Sequence, residues 1–119
     1  MTVLADFAQI LGNQGQLVGQ VQGDATIALP SFNTGGRQSN EPALLVFLAS
    51  DLLGSAAIFI NNQQVGAVFP TGAVVSTSTQ MASFPGTVLN SGQNTISLKF
   101  VTDPFRLRNV CCFYHQDSD

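Results

Sequence analysis

The sequence predicts an all-β protein, an antiparallel β-sandwich of jelly-roll type, and three observations predict it. Gly and Pro punctuate the chain at short intervals, with 11 Gly and 5 Pro in 119 residues. Apolar periodicity at helical spacing is weak. Short runs rich in β-branched and aromatic residues recur between the breaks, the pattern of stacked short strands. No linker or composition shift divides the chain, so residues 1–119 read as one domain, with 115–119 a frayed tail. A chain of this length buries roughly two-thirds of its unfolded surface and needs no staple to fold.

Each element follows in order. Residues 3–12 (VLADFAQILG) read either as a strand or as one or two helical turns. Residues 15–32 read as two short strands, and 33–42 (NTGGRQSNEP) as a loop. Residues 43–50 (ALLVFLAS) form a dense apolar run, expected as a central strand covered on both faces. Residues 51–54 (DLLG) turn the chain into a hairpin, 56–69 (AAIFINNQQVGAVF).

A two-residue turn at Asn62 and Gln63 sets Ile60 opposite Val65, Ile58 opposite Ala67 and Ala56 opposite Phe69, all six on one core-facing side. Asn tolerates the positive φ of such turns, so the amide tip reads as a turn before it reads as a recognition loop. The hairpin's other side, with Ala57, Phe59 and Val68, is not polar, so something in the fold covers it or it is a contact surface.

Residues 71–84 are polar and β-prone, closed by Pro85 and Gly86. A turn at Asn90, Ser91 and Gly92 precedes a strand in which Ile96, Leu98 and Phe100 face inward and Thr95, Ser97 and Lys99 outward. Residues 105–115 (FRLRNVCCFYH) form the last strand. Leu107 and Val110 cannot share a face there in a regular strand, which calls for a bulge near Asn109 or burial on both sides.

Charge limits the function classes. Only 9% of residues are charged, the net charge is −3, and Arg37, Lys99, Arg106 and Arg108 are the four cations. Four scattered cations argue against nucleic-acid binding, whose affinity comes largely from phosphate neutralisation. No run approaches the roughly 20 apolar residues that span a bilayer. Residues 1–10 lack a secretory signal, so the expected setting is cytoplasmic, with delivery in a virion as another route. So little charge on a chain that is 45% hydrophobic suits burial against copies of itself or against a partner.

Sites for chemistry are few. In the loop at 33–42, Gly35 and Gly36 could present N–H groups to an anion beside Asn33 and Arg37, although a tight loop needs the glycines for its own sake. Asn61 and Asn62 could read a ligand from the hairpin tip. Arg106 and Arg108 alternate onto one face and could form a fork for carboxylate or phosphate. More often such residues are a solvated strand face or pair with local acids such as Asp103.

Adjacent Cys111 and Cys112 point to opposite faces of a strand, so they read as small core residues, with a strained vicinal disulfide as the redox alternative. His115 is the single histidine, and no metal or other cofactor is expected. Acids at Asp6, Asp24, Glu41 and Asp51 show no spacing of a catalytic pair, so no enzyme is expected.

Three quoted pieces, IFINNQQVG, LNSGQNTISLKF and LRNVCCFY, resemble in their order the galactose-binding-domain-like jelly rolls, which include many carbohydrate-binding modules. The resemblance covers residues 44–114 and rests on turn chemistry. It implies a jelly-roll sandwich and a saccharide as ligand. The chain departs from that family in having no Trp, a single Tyr at Tyr114, and Arg108–Asn109 where an Asp often helps hold calcium. The leading expectation is a non-catalytic sandwich that acts through its surface, in self-association or assembly. A saccharide-binding module and a small virion or phage component are the alternatives.

Overall fold

The computed structural model describes residues 3–21, 25–37, 40–71 and 77–117, with side chains from Asp6 to Gln116. The expectations for residues 22–24, 38–39, 72–76 and 118–119 lie outside the described residues, and so does the candidate acid Asp24.

Strands dominate. They are β1 (Val3–Gln9), β2 (Gln16–Val18), β3 (Thr26–Asn33), β4 (Pro42–Ser50), β5 (Ala56–Ile60), β6 (Gln63–Val68), β7 (Thr77–Pro85), β8 (Gln93–Lys99) and β9 (Phe105–Asp117). A 3-10 turn, Gly86–Val88, separates β7 from β8. The opening segment, ambiguous in sequence, is therefore a strand.

Two antiparallel sheets stack. One has five strands in the order β1-β9-β4-β7, with β2 also paired to β9; the other has four, β3-β8-β5-β6. Leaving β2 aside, the outermost strands in sequence pair first: β1 with β9, β3 with β8, β4 with β7, β5 with β6. One long antiparallel ribbon wound round a core gives this order, and the result is an all-β sandwich.

Alternation selects the core. Ala43, Leu45, Phe47 and Ala49 of β4 face Ile58 and Ile60 of β5, Ile96 and Leu98 of β8, and Leu107, Val110 and Cys112 of β9 in one buried cluster. Each is less than a tenth exposed, and full burial of such a side chain is worth about 1.5–3 kcal/mol.

The bulge near Asn109 is present. Val46 pairs with Cys111 and Leu48 with Arg108, so Asn109 and Val110 together oppose Phe47. Asn109 takes φ 51°, its N–H donates to Gly12 O at 2.9 Å, and Leu107 and Val110 both reach the core.

Four expectations need correction. The hairpin turns at Asn61 and Asn62, not at Asn62 and Gln63, because both central residues have positive φ (51° and 65°) and Gln63 resists that conformation more than Asn does. Ile60 then pairs with Gln63, and a bulge at Val65 brings Ile58 opposite Gly66 and Ala56 opposite Val68. Val68 is buried, Val65 and Ala67 are half-buried, and Phe69 is exposed. Phe100 lies beyond β8 with φ 56° and is exposed. β9 continues through His115 to Asp117, held by pairing to β1, so 115–117 are strand rather than tail. Finally, β4 is buried on one side only; Leu44, Val46 and Leu48 on its other side are half-buried.

Candidate functional site

The outer side of the five-stranded sheet is the surface that the fold leaves apolar. Register places its side chains in four rows across the strands. Phe7, Phe113, Leu44 and Ser83 make the first; Gln9, Cys111, Val46 and Met81 make the second. Arg108, Leu48 and Thr79 follow, then Leu17, Arg106, Ser50 and Thr77. Phe7 is 58% exposed, Met81 63%, Leu17 67% and Phe113 43%. Between them, Leu44, Val46 and Cys111 are half-buried, so the exposed residues join into one band. Scattered exposed hydrophobes are ordinary, whereas a contiguous band marks a contact surface.

The opposite sheet shows the contrast. Its outer side carries Thr26, Thr95, Ser97, Lys99 and Gln64, and its one large apolar residue, Phe59, lies under the Lys99 ammonium at 4.9 Å. Of the hairpin side expected to carry Ala57, Phe59 and Val68, Val68 instead faces the core with Ala56, Ala57 is buried, and Phe59 is half-buried beneath Lys99.

At the upper end of the apolar band, Phe7 and Phe113 have ring centroids 5.9 Å apart and tilted by 36°. Beside them lies an open depression of about 280 Å³, lined by Pro42, Leu44, Ser83, Phe113 and His115. His115 Nδ1 stands 3.4 Å from the Pro42 carbonyl. Tyr114 points the other way, into the core, with its hydroxyl 3.5 Å from Asp6 Oδ2. Burial and that carboxylate raise its pKa.

The sequence candidates separate into two groups. Asn33 Oδ1 accepts from Gly35 N at 2.8 Å, Gly36 N donates to Ser91 Oγ, and Arg37 Nε donates to Leu89 O at 2.6 Å. These three donors close the loop on itself and on Leu89 and Ser91. Asn61 lies in a buried knot: its Nδ2 donates to Val88 O and to Asn94 Oδ1, both at 2.9 Å, and its Oδ1 accepts from Thr95 N. Asn62 is exposed at the turn, on the far sheet from the apolar band.

Arg106 and Arg108 lie at the lower end of the band itself. Arg106 Nη1 donates to Gln14 O at 2.9 Å, and Arg108 Nη2 reaches Ser50 Oγ at 3.4 Å. Asp103 is bonded by its neighbour Thr102.

Both thiols are free. Cys112 is buried and its pKa is pushed up to about 12, first by burial and then by the neighbouring Cys111. Cys111, expected in the core, belongs to the outer band. Among the described residues no three His, Cys, Asp or Glu side chains gather as a metal set, and no helix is long and apolar enough to cross a membrane.

Sequence reasoning missed Phe7, Met81 and Phe113. The available signal was the phase of β9: once Leu107, Val110 and Cys112 face inward, Cys111 and Phe113 must face outward.

No protein-family model matches the chain, and no curated protein does. Among solved structures it is similar to a β-porphyranase of glycoside hydrolase family 86 from the human gut bacterium Bacteroides plebeius, with a TM-score of 0.63 at 11% identity over 96% of this chain. The likeness is one of fold. The chain spans about a fifth of that protein, since the match covers 21% of its length.

Proposed function

We propose that this chain is a non-catalytic β-sandwich that works by pairing the outer side of its five-stranded sheet with the same surface of a second copy. One observation carries the reading: Phe7, Leu44, Val46, Cys111, Phe113 and Met81 form a continuous band, whereas Leu53, Phe69 and Phe100, exposed elsewhere, lie outside the strands. Size supports it. β4 has nine residues and is about 30 Å long, so four strands offer roughly 600 Å². A standard interface buries about 800 Å² per partner, which puts this one at the weak, concentration-dependent end.

Sedimentation velocity over a concentration series tests the reading. Association is expected for the wild type and its loss in Met81→Lys, a change at an exposed position that alters stability by no more than about 0.5 kcal/mol. A monomeric wild type, or a variant that associates equally well, counts against it.

A second reading is a saccharide-binding module. The open Phe7–Phe113 pair beside the depression favours it, and so does a fold shared with part of a carbohydrate-active enzyme. In that case Phe113→Ala abolishes retention on a glycan array; an array with no binding removes the reading.

A further inference from the structure

We propose that Arg106 and Arg108 form an oxyanion-binding site at the lower end of the same face, for a small ligand bearing a carboxylate, sulfate or phosphate group. The site stands independently of what covers the apolar band.

Placement is the first argument. The two arginines occupy successive outward positions on β9, about 6.6 Å apart along the strand, with Ser50 directly across from Arg106 and Thr77 across from Ser50. Two guanidinium groups and two hydroxyls therefore lie in adjoining rows on one side of the sheet. The hydroxyls bond each other at 3.0 Å.

Charge is the second. Arg108 is half-buried, and its Nε is sealed from water without an acceptor. Its contact with Ser50 Oγ, at 3.4 Å, is long for a hydrogen bond. Arg106 is held by a neutral carbonyl, that of Gln14. Like charges in adjoining rows of one face, one of them partly desolvated, favour an anion between them.

Rigidity is the third. Gly15 adopts φ +68° and packs so closely that a Cβ there would fall 2.5 Å from Arg108 Cγ and 1.9 Å from Leu107 O. The backbone thus packs against the stem of Arg108 and limits where its guanidinium can go. A planar fork held in this way suits the paired oxygens of an oxyanion.

NMR titration of the Arg Nε–Hε resonances tests the site. Sodium acetate, sulfate and phosphate are added in separate arms, with sodium chloride at matched ionic strength as control. The site predicts saturable shifts at both arginines with at least one oxyanion, and the ranking of the arms names the preferred class. Arg106→Gln, at an exposed position, should weaken binding by about tenfold or more. Arg108→Lys, which keeps the charge and loses the fork, should weaken it similarly. Shifts that do not saturate, that chloride reproduces, or that survive both substitutions overturn the proposal.

Discussion

Asn61 donates from Nδ2 to Asn94 Oδ1 at 2.9 Å, joining the tip of the β5–β6 hairpin to the start of β8. Asn94 is fully buried, and every polar atom of its side chain is used. Its Oδ1 also accepts from Asn90 N, and its Nδ2 reaches Thr34 Oγ1 at 2.8 Å and Gly92 O at 3.1 Å. The network fastens three connections at one end of the sandwich. An amide tip that looks like a reader of ligands is, at Asn61, part of the frame.

Asn94→Ala should therefore destabilise the fold by about 2–4 kcal/mol, because it opens a cavity and removes together the acceptor shared by Asn61 Nδ2 and Asn90 N and the donor to buried Thr34 Oγ1. Asn62→Ala, one residue from Asn61 but exposed, should cost less than about 1 kcal/mol. Urea unfolding of the two variants checks both values; equal losses would contradict the network.

Gly66 sets the approach of β6 to β7. A Cβ at this position would lie 2.6 Å from Ala82 Cβ. Gly66→Ala is expected to cost about 1–3 kcal/mol by overpacking. Ala82→Gly in the same chain should recover part of that loss, giving a coupling energy above about 0.5 kcal/mol in a double-mutant cycle. Strictly additive losses would show that the two strands do not press on each other here.

The two cysteines should differ in reactivity. Cys111 is open on the outer face and should react with a maleimide in the native state. Cys112 should react only on unfolding, since burial holds its thiol protonated. The same shift has a pH consequence. The folded-state pKa is raised from 9.0 to about 12, so the stabilising preference for the protonated form is complete below 9.0 and is lost between 9.0 and about 12. Stability should fall there by about 1.4 kcal/mol per pH unit from this residue. Tyr114, also raised, acts in the same direction. Denaturation midpoints followed against pH should decline less steeply in Cys112→Ala than in the wild type.

Much of this architecture was legible from alternation. Ile96 and Leu98 inward against Thr95 and Ser97 outward follow directly from a two-residue period, and the conflict between Leu107 and Val110 announced the bulge at Asn109. The hairpin register was not legible. Either dipeptide at its tip contains an Asn, and only the bulge at Val65, set by pairing in three dimensions, reconciles the correct turn with buried Ile58 and Val68.

The apolar outer face was hidden for a different reason. In ALLVFLAS both sides of the strand are apolar, and a sequence does not say whether the second side is covered by the same chain or by another. The bonds of Asn61 were not legible because its partners, Val88 and Asn94, lie 27 and 33 residues away. The pairing of Arg106 with Arg108 on one face was readable because it needs only the local strand period.

The central claim is that the outer side of the five-stranded sheet is what this protein covers when it acts. Side-chain NMR spectra recorded from low concentration to about 100 μM, where a weak interface of this size associates, test it most directly. The account predicts concentration-dependent shifts at Phe7, Val46, Met81 and Phe113, with Phe59, Thr95 and Ser97 on the opposite sheet unmoved. Spectra that do not change, or changes centred on the opposite sheet, would contradict it.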